Sequence, residues 1–451
     1  MAPFFSDAER ADCWLSTEHF CGGLSGRGEA VLLRPRPRNW EGYECPAFDS
    51  DTNRCTIYSR RPLDCRLYPF LLTFDERGEQ VLLTADFLCP FVREASNLDR
   101  VMSVGRRTAE LLEVALFDAV LASSGMVSEY EPTRLVIGEL PRLGRALCRS
   151  DLGLSRLTLS CRKRLDGFFE KASAGLSYYS FASIFMWSDF FDLRWRVVND
   201  RLLIVAQGDG AAFLLAPPLG SGDLRPAVEA AWAILDALCP NSPAARIENV
   251  PDADLASVLQ VGGRVQHTAE EYVGERERWA SLAGNSLKGQ RAACNRFVRT
   301  TQAAWRPFRN DDLPAVVSLY RAWARERSSR YRNTYYCTLL ANSFLAHVRA
   351  LRAIDELSLT ARVVEVDGRL AAYTFGTPVA DGSTFAVLGE VADLSVRDLA
   401  AFTFRQLCRE VAQCRWVNIM DDCGLQNLRN AKLGYHPELR LNAHSVVRAL
   451  Q

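Results

Sequence analysis

Apolar side chains in LDRVMSVGRRTAELLEVALFDAVLASS, residues 98–124, recur at three- and four-residue steps. Val101, Val104, Leu111, Leu112, Ala115, Leu116 and Val120 then share one face, which predicts an amphipathic helix. Beyond residue 155 the pattern shifts toward alternation. WRVVNDRLLIVAQ reads as two strands joined at Asn199–Asp200, residues that accept the positive φ of a tight hairpin, and a second turn is expected at Asp209–Gly210. PAVEAAWAILDAL, 226–238, predicts an apolar helix. From about residue 270 the same grammar returns: a basic helix over 276–300, then a helix around LPAVVSLYRAWARERS. Strands follow in LTARVVEVDGRLAAYTFGTPV, hinged at Asp367–Gly368, and in STFAVLGEVAD. The helix RDLAAFTFRQLCREVAQ leads to the strand RWVNIMD. A meander closing in strand–helix–strand predicts an α/β (α+β) fold with a largely antiparallel sheet.

A chain of 451 residues holds roughly three domains. With 48% hydrophobic and 24% charged residues, each can bury a core. A formal net charge of zero argues against coating nucleic acid with the whole molecule. Lysine occurs only at 163, 171, 288 and 432, so nearly all positive charge is arginine, as a GC-rich genome or a need for phosphate-gripping forks would produce. No apolar run reaches the ~18 residues of a membrane-spanning helix, and MAPFFSDAERADC lacks the basic start and apolar stretch of a signal peptide. A cytoplasmic chain is expected, in which the fourteen cysteines stay reduced. The eight at 148, 161, 239, 294, 337, 408, 414 and 423 are scattered and read as small core residues.

The front cysteines read differently. Cys45, Cys55 and Cys65 are evenly spaced in CPAFDSDTNRCTIYSRRPLDCRLYPF, Cys89 follows in DFLCPF, and Cys13 and Cys21 precede. Thiolates select soft or borderline metals, and one centre needs about four donors. Nine residues separate each of the three from the next, wider than the close pairs of a zinc knuckle, which favours an iron–sulfur cluster over zinc. Arg60, Arg61 and Arg66 would offset a tetrathiolate's charge, or form a solvated surface. This run resembles the YkgJ-type cysteine-cluster family, zinc- or iron–sulfur-binding, whose signature also occurs in flagellin lysine methylases. The family's upstream CxxCGxCC-like segment is reduced here to Cys13 and Cys21. The resemblance implies a metal-binding domain over 1–97, with Cys21, Cys45, Cys55, Cys65 and Cys89 as ligands, Cys13 in reserve, a [4Fe-4S] cluster as first choice and zinc as second. A helical connector follows over 98–150.

Several later segments carry a second resemblance. They are YYSFASIFMWSDFFDLRWRV, LKGQRAACNRF at 287–297, LGEVAD at 388–393 and VNIMDDCGLQNLRNAKLGYHP at 417–437, the last being the most specific. Residues from roughly 165 to 445 resemble the C-terminal catalytic domain of phosphatidylglycerol lysyltransferases and its soluble relatives. The implied fold is a tandem of GNAT-like (N-acetyltransferase-fold) units, over 151–268 and 269–451. In LKGQRAACNRF, Cys294 replaces the basic residue before Asn295; in LGEVAD, Val391 replaces a lysine.

Group transfer needs positioning, charge stabilisation and proton removal. Glu390 and Asp393 end one apolar strand, and Asp421 and Asp422 end the next. Carboxylates so placed can bind a cationic amine or deprotonate it, so Glu390, Asp393 and Asp422 are the candidate catalytic residues. A helix cap at Asp422 and a structural ion pair at Glu390 are the alternatives. Arg429 and Lys432 share a helix face, and residues 288–309 carry Lys288, Arg291, Arg296, Arg299, Arg306 and Arg309 with no acid between Lys288 and Arg309. Candidate substrate-binding residues are Lys288, Arg291, Asn295, Asn418, Arg429, Lys432 and Tyr435, a solvated basic face being the alternative for the run. DLSVRDLAAF lacks the glycine-rich turn that grips coenzyme A at a helix start. That tilts the donor from acyl-CoA to aminoacyl-tRNA, and with no flippase half the acceptor is a soluble small molecule or peptide rather than a lipid. The expected function is thus a soluble acyl- or aminoacyltransferase with a front metal site. Two other readings stand beside it: a metal-dependent redox enzyme or methylase acting through the cysteines, and a non-catalytic protein responding to metal or redox state.

Overall fold

Asn199 and Asp200 adopt φ of 50° and 57°, the left-handed pair that a two-residue hairpin needs, and strands flank them at Asp192–Val198 and Arg201–Gly208. The computed structural model describes residues 3–11, 29–31, 34–35, 43–148, 152–172, 175–208, 211–240, 242, 244–330, 334–379 and 382–448. The turn expected at Asp209–Gly210 lies outside them, as do Cys13 and Cys21. The chain divides into two units: Met1–Cys161 with Asp189–Trp195, and Arg162–Ser188 with Arg196–Gln451.

In the first unit, strands Phe70–Phe74, Val81–Ala85 and Leu135–Glu139 form an antiparallel sheet. The segment expected as one helix over 98–124 is two, Leu98–Glu113 and Phe117–Ala122, parted where Val114 leaves helical geometry. Val101, Gly105 and Leu112 make the buried stripe. Val104 and Leu111 lie roughly 60–80° round the cylinder from that stripe and stay 38% and 53% exposed. Gly105 sets how closely the helix approaches the sheet, since a Cβ there would come within 2.6 Å of Ile137.

In the second unit the strands are β1 (Arg201–Gly208), β2 (Ala211–Leu214), β3 (Arg246–Val250), β4 (Gly263–Glu275), β5 (Ala303–Pro307), β6 (Thr360–Val366), β7 (Arg369–Val379), β8 (Thr384–Ala392), β9 (Trp416–Asn418) and β10 (Leu439–Arg448). They are hydrogen-bonded in the order β1-β2-β3-β10-β4-β9-β8-β7-β6-β5. The pairs β2–β3 and β9–β8 are parallel and the rest of this series antiparallel, so the expected mixed α/β architecture with a mainly antiparallel sheet is what forms. Asp367 and Gly368 make the β6–β7 turn with φ of 52° and 74°.

After the helices Arg162–Glu170 and Phe181–Phe185 come α1 (Leu224–Leu238), α2 (Asp252–Gln260), α3 (Arg276–Ser281), α4 (Lys288–Thr300), α5 (Leu313–Arg330), α6 (Thr334–Arg352), α7 (Leu399–Glu410) and α8 (Gln426–Leu433). The basic helix expected over 276–300 is interrupted, because Leu282 and Gly284 take φ of 54° and 87° and separate α3 from α4. α6 was not foreseen among the elements read from the pattern, although Tyr336, Leu340, Phe344, His347 and Leu351 give it a buried stripe. α7 buries Leu399, Phe402, Phe404 and Leu407; Phe402 packs on Phe297 of α4 at 4.6 Å between ring centroids, and Phe404 on Trp279 of α3 at 5.4 Å. Trp279 is fully buried and its indole N–H donates to the Tyr435 carbonyl at 2.8 Å, tying α3 to the turn after α8. The indole lies over Gly274 of β4, where a Cβ would sit 2.1 Å from the ring. Gly274→Ala is therefore expected to cost about 1–3 kcal/mol through overpacking, read as a lowered melting temperature by circular dichroism, while alanine at the open Gly289 position leaves melting nearly unchanged.

Candidate active site

The parallel pair β8–β9 stays in register from Thr384–Trp416 to Ala386–Asn418 and then parts. β9 ends because Met420 turns to φ 62°, whereas β8 runs on through Val387–Ala392. A cavity of about 360 Å³ opens where the strands diverge, the place where α/β sheets offer unpaired backbone to a ligand. β8 lines it from Val387 to Val391, Ile419 and Met420 line the facing side, and α8 contributes Leu428, Ala431 and Lys432. α6 adds Tyr336, Leu340, Ser343 and His347, and α5 adds Tyr320 and Trp323. Gly389 is required on β8, because a Cβ would stand 2.3 Å from the Phe375 ring and 2.9 Å from His347.

Among the described residues of this lining, Glu390 is the carboxylate and Lys432 the amine. Glu390 has one carboxylate oxygen, Oε2, buried without a hydrogen-bond partner. Burial alone pushes its carboxyl up to about 8, because a low-dielectric wall disfavours the charged form. Lys432 donates to the Ile419 carbonyl. Burial lowers its ammonium from the ordinary lysine range, opposed by Asp421, Cys423, Glu271 and Asp422. An ammonium has three protons to donate, so the Ile419 bond leaves donors for a ligand. His347 Nδ1 lies 2.9 Å from the Tyr373 hydroxyl, and burial pushes the imidazole down to about 3, so the ring is neutral.

The structure brings Glu390, Lys432 and Tyr435 together around the cavity and sets the other residues named from the sequence elsewhere. Asp393 follows β8 and accepts from the Ser395 N–H at 2.9 Å and hydroxyl at 2.6 Å, with Arg369 at 3.2 Å. Asp422 accepts from the Tyr272 hydroxyl at 2.6 Å and the Gly424 N–H at 2.9 Å. That bond and burial raise the Tyr272 phenol to about 12, burial first. Arg429 is exposed, 3.9 Å from Asp422 and 3.8 Å from Glu270. Lys288 and Asn295 are exposed on α4, and Arg291 donates to the Leu282 and Gly284 carbonyls at the end of α3. Of the basic run, Arg296 grips Asp398 with two bonds of 2.5 and 2.9 Å, and Arg306 pairs with Asp312 and Glu365. Asn418 is wholly buried and donates to Glu271 at 2.6 Å. Glu271, Tyr320 and His347 were not singled out from sequence. Tyr320 lies on a helix that the pattern predicts and His347 on α6, which it does not, and in GlnHisThrAlaGluGluTyrVal nothing separates the buried Glu271 from Glu270.

In the first unit Cys45 and Cys55 pack beside Phe5, Val31, Ala47 and Ile57. Cys65, on the short helix Leu63–Leu67, has its thiol pushed up to about 12, chiefly by burial, then by Asp64 and by Cys45 and Cys55. Cys89 precedes the helix Pro90–Arg93 and bonds the Tyr68 hydroxyl. All four are half-buried. Among the described residues no three His, Cys, Asp or Glu side chains are drawn tightly enough to hold an ion by themselves. Cys21 lies outside those residues. The donor chemistry nevertheless fits a soft metal, whose binding would expel the proton that burial holds on Cys65.

Residues 23–90 match the family described as "Putative zinc- or iron-chelating domain". Residues 170–442 match "Phosphatidylglycerol lysyltransferase, C-terminal". Of solved structures, a conserved protein of unknown function from Bacteroides thetaiotaomicron VPI-5482 is similar at 24% identity and TM-score 0.59, over 65% of this chain and 99% of that one. L-PGS from Bacillus licheniformis is similar at 14% identity and TM-score 0.47, over 64% and 92%. No curated protein matches the chain. The family match spans more than half the sequence: the chain belongs to the phosphatidylglycerol lysyltransferase C-terminal family and is an aminoacyl- or acyltransferase.

Proposed function

We propose that this chain moves an aminoacyl group from aminoacyl-tRNA to an amine or hydroxyl of a soluble small molecule or peptide. The observation that carries the reading is the unpartnered Glu390 carboxylate in a cavity that also holds the Lys432 amine. The acceptor nitrogen or oxygen attacks the ester carbonyl and its proton passes to Glu390, which returns it to the ribose oxygen of the tRNA as the ester C–O bond breaks and that hydroxyl leaves. Lys432, anchored on Ile419, donates to the carbonyl oxygen as it gains charge. Asp422, bonded to Tyr272, shapes the loop beside that donor, and Tyr435 walls the site. The exposed Lys288 and Arg299 on α4 suit contact with tRNA phosphates. Such a donor fits a cytoplasmic chain, and among the described residues no helix is long and apolar enough to cross a membrane.

For the front unit we favour a [4Fe-4S] cluster held by Cys45, Cys55 and Cys65 with Cys89 or Cys21, zinc being second. When bound it would supply a rigid centre for a segment whose strands are two residues long.

Glu390→Gln is expected to lower transfer about 10²–10⁴-fold, measured as release of radiolabelled amino acid from a pool of charged tRNAs in the presence of cell extract. The wild-type rate should rise with pH through about 8, as the carboxyl loses its proton, and the rise should vanish in the variant. Discharge of coenzyme-A thioesters with charged tRNA untouched would reverse the donor assignment.

The same carboxyl sets a stability trend. Its folded value of about 8 exceeds the ordinary 4.5, so its contribution is intact below 4.5 and is lost as pH rises through 8. Relative to wild type, Glu390→Gln should therefore melt higher at alkaline pH than at acid pH, in matched thermal scans.

For the metal, Cys65→Ala should strip bound iron and the brown colour of a cluster, quantified by elemental analysis. Zinc alone in the wild-type protein would make zinc the resident ion.

A further inference from the structure

Glu271 lies on β4 with no exposed surface. A buried carboxylate is tolerated only when its lone pairs are used, and these are: Oε2 accepts from the Ser177 N–H at 2.8 Å and the Asn418 amide at 2.6 Å, and Oε1 from the Ser177 hydroxyl at 2.5 Å. Because a carboxylate only accepts, it forces the Asn418 NH₂ group toward itself and the Asn418 oxygen the other way. The NH₂ group also donates to the Gly175 carbonyl at 2.9 Å, and the oxygen accepts from the Met420 N–H at 2.8 Å. That bond holds Met420 at φ 62°, a region costly for a side chain of this size. Turning the chain there parts β9 from β8, and Ile419, one residue earlier, presents the carbonyl that anchors Lys432. The neighbouring Tyr272 completes the stitch: its carbonyl accepts from the Ile419 N–H at 2.9 Å and its N–H donates to the Met420 carbonyl at 3.2 Å.

We infer that Glu271 is a positioning residue for group transfer: through the orientation of the Asn418 amide it fixes the 419–423 turn and so the place of the Lys432 amine in the cavity. This rests on the transfer reading for its kinetic consequence but not for its structural one. Glu271→Leu removes both carboxylate oxygens, so Ser177 and Asn418 lose this acceptor, the Asn418 amide is no longer held in one orientation, and the turn is released while the sheet's apolar core is unchanged.

The test uses the full chain labelled with ε-¹⁵N-lysine. The four lysines give four side-chain resonances, Lys432 being assigned by Lys432→Arg. In Glu271→Leu the Lys432 resonance should move while those of Lys163, Lys171 and Lys288 stay. The discharge kcat should fall about tenfold or more, with KM for charged tRNA within about twofold. Val446→Ala, in the buried middle of β10, serves as a variant destabilised by packing alone. A Lys432 resonance unmoved in Glu271→Leu, or a kcat loss no larger than that of Val446→Ala at equal loss of melting temperature, overturns the inference. If Glu271→Leu does not fold, Ser177→Ala, which removes only the hydroxyl donor, should give the same displacement in smaller measure, and its absence counts equally against the inference. If wild-type protein discharges no charged tRNA, the donor reading fails and the Lys432 resonance alone decides this one.

Discussion

The separation of two parallel strands governs this molecule's second unit. β8 and β9 share hydrogen bonds up to Ala386 and Asn418, then diverge. A strand that loses its neighbour leaves backbone unpaired, and inside a fold that backbone needs new partners. Here the divergence is fixed by side-chain bonds rather than by glycine: Asn418 holds Met420 in a left-handed turn, and Lys432 takes up the Ile419 carbonyl. The cavity is the space those substitutions leave, and the residues around it come from elements far apart in the chain.

Ionisable groups are handled in two ways around that space. Glu271, Asp422 and Asp393 are acids whose oxygens are taken up by Ser177 and Asn418, by Tyr272 and Gly424, and by Ser395 and Arg369. Glu390 keeps an unpartnered oxygen in an aromatic-walled cavity, and His347 is held neutral beside Tyr373. Leaving a polar atom unsatisfied costs about 1–3 kcal/mol, a cost that a structural acid avoids and a reactive one can carry. The contrast separates Glu390 from the other carboxylates on physical grounds.

The front unit follows a different economy. Its sheet packs a conventional core of Leu72, Phe74, Val81 and Leu83, whereas the segment bearing Cys45, Cys55 and Cys65 has short strands and a small cluster around Ala47 and Ile57. Among the described residues that cluster is what holds the segment, and Cys45, Cys55 and Cys65 supply thiols that a soft ion would need to finish it.

The hydrophobic pattern was enough to place most strands and helices of the second unit, the hairpin turns at Asn199–Asp200 and Asp367–Gly368, and the motif bearing Asp422, Arg429 and Lys432. Local spacing fixes which residues share a helix face or tolerate positive φ, and those are properties a sequence carries by itself. It did not reveal the break at Leu282, the helix α6, or which acid of the Glu270–Glu271 pair turns inward. Nor could it separate Glu390 from Asp393, three residues apart in one motif, though one lines the cavity and the other binds Ser395 and Arg369. Those distinctions arise from contacts between residues more than a hundred positions apart, such as Glu271 with Asn418. Residue type and local period determined the elements and the inventory of reactive groups; long-range burial and hydrogen bonding, which exist only once the strands are paired, decided which of those groups face the cavity with a valence to spare.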